Sequence, residues 1–159
     1  MRRVVISVLL LLTSCNASGN ELRRYPFKEL IERSDVIVVA TGTGRKKKGL
    51  SSSLNEVSRL EVKTAVKGEP KSIFDLITSG QFIELDVDCC EKGDSYLVFA
   101  QEAKSEMYAP TNGQFSVLRV KDGEVLNFLD FGTSESLDAI IESVRSSDCK
   151  IDFNVSGPE

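Results

Sequence analysis

The sequence contains no histidine and no tryptophan. The missing histidine removes His-based catalytic triads, imidazole general bases and His-ligated metals in one step. The missing tryptophan, with only three tyrosines and eight phenylalanines, leaves few rings for stacking on sugars or bases. The aromatics placed to do so are Tyr25, Tyr108 and Phe131. There is no excess of positive charge either. Twenty lysines and arginines face 24 acids, for a net charge of −4, which argues against a nucleic-acid partner. No G-x-S-x-G, G-x-G-x-x-G or phosphate-binding loop is present, and no cofactor or metal is expected. Ser147 to Lys150 matches S-x-x-K, but without the partner motifs that give that pattern meaning. What is present is 41% hydrophobic and 28% charged residues in a chain of 159. That suffices for one packed domain with a soluble surface.

The N-terminal residues read as an address. Met1-Arg2-Arg3 is a basic start, and Val4 to Leu12 is apolar apart from Ser7. Such a run is too short to span a bilayer core as a helix, which takes about 20 residues, and reads as an export signal. Leu12-Thr13-Ser14-Cys15 follows and resembles the lipobox of bacterial lipoproteins. The resemblance implies cleavage before Cys15, lipidation of its thiol and anchoring to a membrane. Asn16 after the cysteine implies the outer membrane where the cell has one. The chain therefore divides into a signal at 1–14, the lipidated cysteine and a flexible tether at 15–24, a single domain at 25–148, and a tail at 149–159.

Within the domain, Pro26 to Arg33 reads as a short helix, with Phe27, Leu30 and Ile31 on one side. Val36 to Ala40 is a β-branched run, the pattern of a buried strand. Residues 42–56 hold glycines, serines and the consecutive cations Arg45, Lys46, Lys47 and Lys48, which read as a long loop able to bind anions such as lipid phosphate. Leu60, Val62, Thr64 and Val66 alternate with polar neighbours as in a half-buried strand. Ile73–Thr78, Phe82–Val87 and Ser95–Ala100 are further strands, the last of them central. Phe115–Val120 and Glu124–Phe128 form a hairpin about Lys121-Asp122-Gly123. Thr133 or Ser134 then caps a helix whose apolar stripe is Leu137, Ile140, Ile141 and Val144. Asp86, Asp88 and Glu91 flank Cys89-Cys90 and read as a solvated face rather than a calcium site. Many short strands with two flanking helices describe a mainly β chain, a small β-barrel.

Three segments carry a second resemblance: Ser34–Ala40, Leu60–Gly68, and Gly93–Ala100 shortly after a cysteine. Their order is similar to the netrin-like module, the OB-type barrel shared by tissue inhibitors of metalloproteinases (TIMPs). The resemblance implies an OB-like β-barrel with a short N-terminal helix and a C-terminal helix. It also implies, as the alternative to a plain binding or scaffolding role, inhibition of a secreted or envelope protease. The Cys-x-Cys with which those inhibitors chelate zinc is lacking, because Ala17 follows Cys15 at the second position. The sequence thus points to a non-enzymatic, lipid-anchored module with an envelope protein as partner. Lipidation of Cys15 leaves Cys89, Cys90 and Cys149. Export to an oxidising compartment favours a bridge, and strand alternation leans to Cys90–Cys149, with Cys89 as the alternative partner.

Overall fold

The computed structural model describes residues 23–47, 54–80, 86–103, 106–127 and 133–146. Helix α1 (Phe27–Arg33) precedes strands β1 (Val36–Lys47), β2 (Leu54–Lys67), β3 (Ile73–Gly80), β4 (Ser95–Glu102) and β5 (Tyr108–Pro110). A turn of 3-10 helix (Gly113–Ser116) leads into β6 (Val117–Lys121), β7 (Glu124–Leu126) and β8 (Ser134–Ser136), and helix α2 (Leu137–Arg145) follows.

The strands run in the order β1-β2-β3-β5-β4, and β4 pairs back onto β1, closing a five-stranded barrel. All of its seams are antiparallel except β3–β5, which is parallel and touches at Leu76 and Tyr108. The molecule is therefore mainly β, an OB-like barrel with two helices. β4 explains how more than a barrel is built. One of its edges pairs with β1 from Ser95 to Ala100. The other is divided: Ala100–Glu102 take β5, and Ser95–Val98 take β6. β6 then carries β7 and β8 away from the ring.

This division gives two cores and explains the unbroken apolar run Val36–Ala40. Successive side chains of a strand point to opposite faces. Val36, Val38 and Ala40 join Leu60, Phe74, Leu76, Tyr96, Val98 and Ala100 inside the barrel. Ile37 and Val39 join Leu97, Phe99, Leu118 and Val125 outside it, where Phe27 and Leu30 of α1 and Ile140 and Val144 of α2 cover them. A strand buried on both faces has no polar positions to alternate with. Each fully buried side chain of this size contributes about 1.5–3 kcal/mol.

Local contacts fix the seams and caps. Phe74 and Tyr108 stack at 4.1 Å between ring centres across the short β3–β5 seam, so Tyr108 is a core residue and not a surface stacking platform. Phe27 meets Phe99 edge-on at 6.1 Å, tying α1 to β4. The end of α1 leaves carbonyls without helical partners. Lys67 reaches over from β2 and donates to the Ile31 and Ser34 carbonyls at 2.7 and 2.6 Å. The stripe expected on the last helix is confirmed, with Ile140 and Val144 buried and Leu137 and Ile141 partly so. Its cap differs from the expected Thr133 or Ser134. Those residues are spent at the start of β8 and just before it, and Ser136 accepts from the Ala139 amide. The hairpin is shorter than expected, because Gly113–Ser116 form the 3-10 turn.

Candidate functional site

Three regions collect the side chains with chemical potential: the basic end of β1, the segment Asp86–Asp94, and a groove beside β6.

Arg45, Lys46 and Lys47 do not form the loop expected of them. Arg45, Lys46 and Lys47 are the last residues of β1, in register with Arg59, Ser58 and Val57 of β2. Gly44, at φ 66°, sits where the register shifts, and this left-handed residue lets the strand resume pairing beyond the bulge. Arg45 faces the like charge of Arg59, but the two lysines that follow have carboxylates within reach on β2 and β3. Lys46 Nζ is 3.1 Å from Glu56, and Lys47 Nζ is 3.9 Å from Asp75. Arg59 also binds Asp75, through two hydrogen bonds of 2.8 and 2.9 Å. The hydrogen bond that Lys46 donates to Glu56 raises the Lys46 ammonium above its ordinary pKa, with the charge of Glu56 adding to the effect and Glu91 and Asp88 contributing. Arg59 in the same way lowers the Asp75 carboxyl below the usual carboxylate range. An anion approaching this strip therefore meets two lysines, Lys46 and Lys47, already engaged by carboxylates. Lys48 lies outside the described residues.

The segment Asp86–Asp94 lies across one end of the barrel. Asp86, Asp88 and Glu91 are exposed, and no cluster of metal-ligating side chains occurs among the described residues. The cysteines correct an expectation. Cys90 is bonded to Cys89, with an S–S distance of 2.05 Å, and not to Cys149. Cys149, like Cys15, lies outside the described residues. The expected pairing took adjacent cysteines as poor partners for each other, and alternation continued from a strand at Phe82–Val87, of which 82–85 lie outside the described residues, chose Cys90 over Cys89. Residues 86–90 are instead irregular, and Cys90 takes a left-handed φ of 76°. That reversal cancels the alternation, and both side chains enter the inner core, 3% and 1% exposed.

The segment is seated on β1 at Gly42. The Gly42 amide donates to the Asp94 carbonyl at 2.8 Å, and Gly93 returns a bond to the Gly42 carbonyl at 2.9 Å. A Cβ on Gly42 would lie 2.7 Å from the Cys90 carbonyl oxygen and closer still to that of Glu91. Only glycine allows the segment to approach so near. At its other side the Glu91 amide donates to the Tyr96 hydroxyl at 3.3 Å. Arg119 binds Asp94 at 2.8 Å, and its guanidinium is held in the charged form by the Tyr96 hydroxyl and by Asp94.

A groove of about 350 Å³ opens beside β6, lined among others by Arg24, Tyr25, Asn112, Phe115, Arg119 and Leu126. The segment before α1 forms one wall. Asn112 Nδ2 donates to the Arg23 carbonyl at 2.9 Å, and the Arg24 guanidinium lies 4.4 Å from the Phe115 ring centre. Asn112 is buried, and its side-chain oxygen accepts no hydrogen bond from the described residues. Its amide is held by Ser116 Oγ at 2.8 Å, which fixes the turn. The volume and the mixture of aromatic, cationic and amide groups suit recognition of a ligand or a protein segment. Of these residues the sequence reading singled out only Tyr25. Thr111-Asn112-Gly113 is a turn signal in hindsight, but nothing local marks Asn112 as buried.

No protein-family model matches the chain, and no curated protein matches it.

Proposed function

We propose that this chain is an exported, lipid-anchored envelope protein whose barrel acts as a binding or scaffolding module for another envelope protein. The observation that carries the binding role is the groove beside β6, where Arg24, Phe115 and Arg119 surround a turn held by Asn112. The anchor is supported by Leu12-Thr13-Ser14-Cys15 and the apolar run before it. The described chain begins at the groove itself, where Asn112 holds the Arg23 carbonyl and Arg24 lies over Phe115, which suits a binding surface next to the anchored end. Kinship with netrin-like modules belongs to this proposal and is supported by the closed five-stranded ring.

The test has two arms in intact cells. Metabolic labelling with a fatty acid should mark the wild type and not Cys15→Ser, which should leave the membrane fraction. A photo-crosslinking residue at the exposed Gln114 should trap one discrete partner, whereas one at the exposed Lys63 should not. Labelling of Cys15→Ser would overturn the anchor. Equal trapping at both positions would overturn the groove.

A further inference from the structure

We propose that the Cys89–Cys90 bond is a redox-operated latch: while it is intact, Asp86–Asp94 stays seated over the barrel end, and reduction by a dithiol releases it. This stands independently of membrane anchoring.

The argument begins with the backbone. Cys90 holds a φ of 76°, a left-handed region that side-chain-bearing residues avoid because Cβ crowds the following carbonyl oxygen. Bonding two adjacent cysteines closes a small ring around the peptide unit between them and restricts its conformations. Without that bond Cys90 is free to return to negative φ, where most residues lie. The return would redirect the Cys90 and Glu91 carbonyls, the two groups packed on Gly42. It would also restore the opposed directions of neighbouring side chains, so that both cysteines could no longer fill the inner core together.

The seat is made of few bonds. Among the described residues, the backbone bonds from the segment to the barrel strands are Gly42 to Asp94, Gly93 to Gly42, and Val87 to the Thr78 carbonyl at 2.9 Å; the Glu91 amide on the Tyr96 hydroxyl and Arg119 on Asp94 add side-chain ties. By contrast, β1 is paired along both of its edges. A local change at Cys90 can therefore free the segment while the barrel ring stays closed.

The chemistry balances with a dithiol as reductant. One thiolate of the dithiol attacks a sulfur of the pair. The S–S bond breaks, a mixed disulfide forms, and the other cysteine leaves as a thiolate and takes up a proton. The second thiol of the reductant then closes its own disulfide and releases the first cysteine, so two electrons and two protons pass to the protein. Because Cys89 and Cys90 are 3% and 1% exposed, attack takes place in brief local openings from which the oxidised segment returns to its seat, whereas the reduced segment does not.

The test is amide hydrogen exchange on the full chain carrying Cys149→Ser, measured oxidised, after dithiothreitol, and after reoxidation. Reduction should speed exchange at Val87, Gly42, Gly93 and Asp94 by about tenfold or more, as expected for local opening. Val38 and Val98, in the β1–β4 ladder, should keep their protection, and reoxidation should restore the rest. Equal protection in both redox states would overturn the latch. So would a loss shared evenly by the ladder, which would mean that the bond holds up the whole fold. The double variant Cys89→Ser, Cys90→Ser should match the reduced protein under all conditions, and oxidised-like protection in it would also overturn the proposal. The first comparison needs no variant at either latch cysteine.

Discussion

Arg59 on β2 grips Asp75 on β3 through two parallel hydrogen bonds, Nε to Oδ1 at 2.8 Å and Nη2 to Oδ2 at 2.9 Å. The pair closes the β2–β3 seam in a two-pronged geometry that lysine cannot reproduce. Arg59 lowers the Asp75 pKa in the folded protein. A carboxyl depressed on folding adds stability above its unfolded pKa, and that contribution is lost as pH falls through the folded value. Asp75→Asn should therefore lower the denaturation midpoint at neutral pH. The difference between variant and wild type should shrink as the solution is acidified below the ordinary carboxylate range. Urea titrations at several pH values check both, and a gap that stays constant into acid would contradict the assignment.

Ile140 is fully buried between α2 and the outer face of the barrel. Ile140→Ala should cost about 2–5 kcal/mol. Glu142, exposed on the same helix, should tolerate alanine with almost no change. Equal small effects would show α2 to be a loose appendage.

Gly42→Ala places a methyl group against the Cys90 and Glu91 carbonyls. Backbone cannot swing aside as a side chain does, so a loss of about 1–3 kcal/mol is expected, as for other overpacked sites. Gly123, at φ 81°, has nothing within 4 Å of its Cβ position. Gly123→Asn should therefore be milder, since asparagine tolerates left-handed turns. Thermal melts of the two variants compare them directly.

Lys67→Met keeps most of the apolar stem and removes the ammonium that binds the Ile31 and Ser34 carbonyls. A hydrogen bond to a charged group contributes about 1.5–3 kcal/mol, so a loss of that order is expected. It should show first as faster amide exchange in α1. Unchanged exchange there would mean that water replaces the ammonium without cost.

Replacing Arg45, Lys46, Lys47 and Lys48 with serine should cost little stability, because exposed ion pairs contribute about 0.2–1 kcal/mol each. Any anion-binding role of the strip predicts weaker association with anionic vesicles at low salt. Co-sedimentation at two ionic strengths separates a binding strip from cations that serve only their strand partners.

The elements whose own pattern determined them were legible in the sequence. Val36–Ala40, Ser95–Ala100 and the stripe from Leu137 to Val144 carry their burial in their residue types. Where distant partners decide, the local pattern misled. Arg45–Lys47 resemble a loop until β2 is paired with them and Glu56 and Asp75 come within reach of the two lysines. The cysteines depend on one backbone angle at Cys90, which alternation alone does not foretell. The groove unites residues from positions 24 to 127, and no short stretch of chain contains its geometry.

The double pairing of β1 has a mechanical consequence. A pull through the residues before Arg23 enters the fold at the Asn112 bond to the Arg23 carbonyl and at the contact between Arg24 and Phe115. Both lie at the entry to the fold and outside the strand ladders, so they and then α1 yield one after another, as in peeling. The load next reaches β1, which is laced to β2 on one edge and to β4 on the other. Drawing it out lengthwise must shear two ladders at once. The molecule therefore has a compliant leader in series with a stiff ring, and under tension it lengthens at α1 while the barrel stays whole.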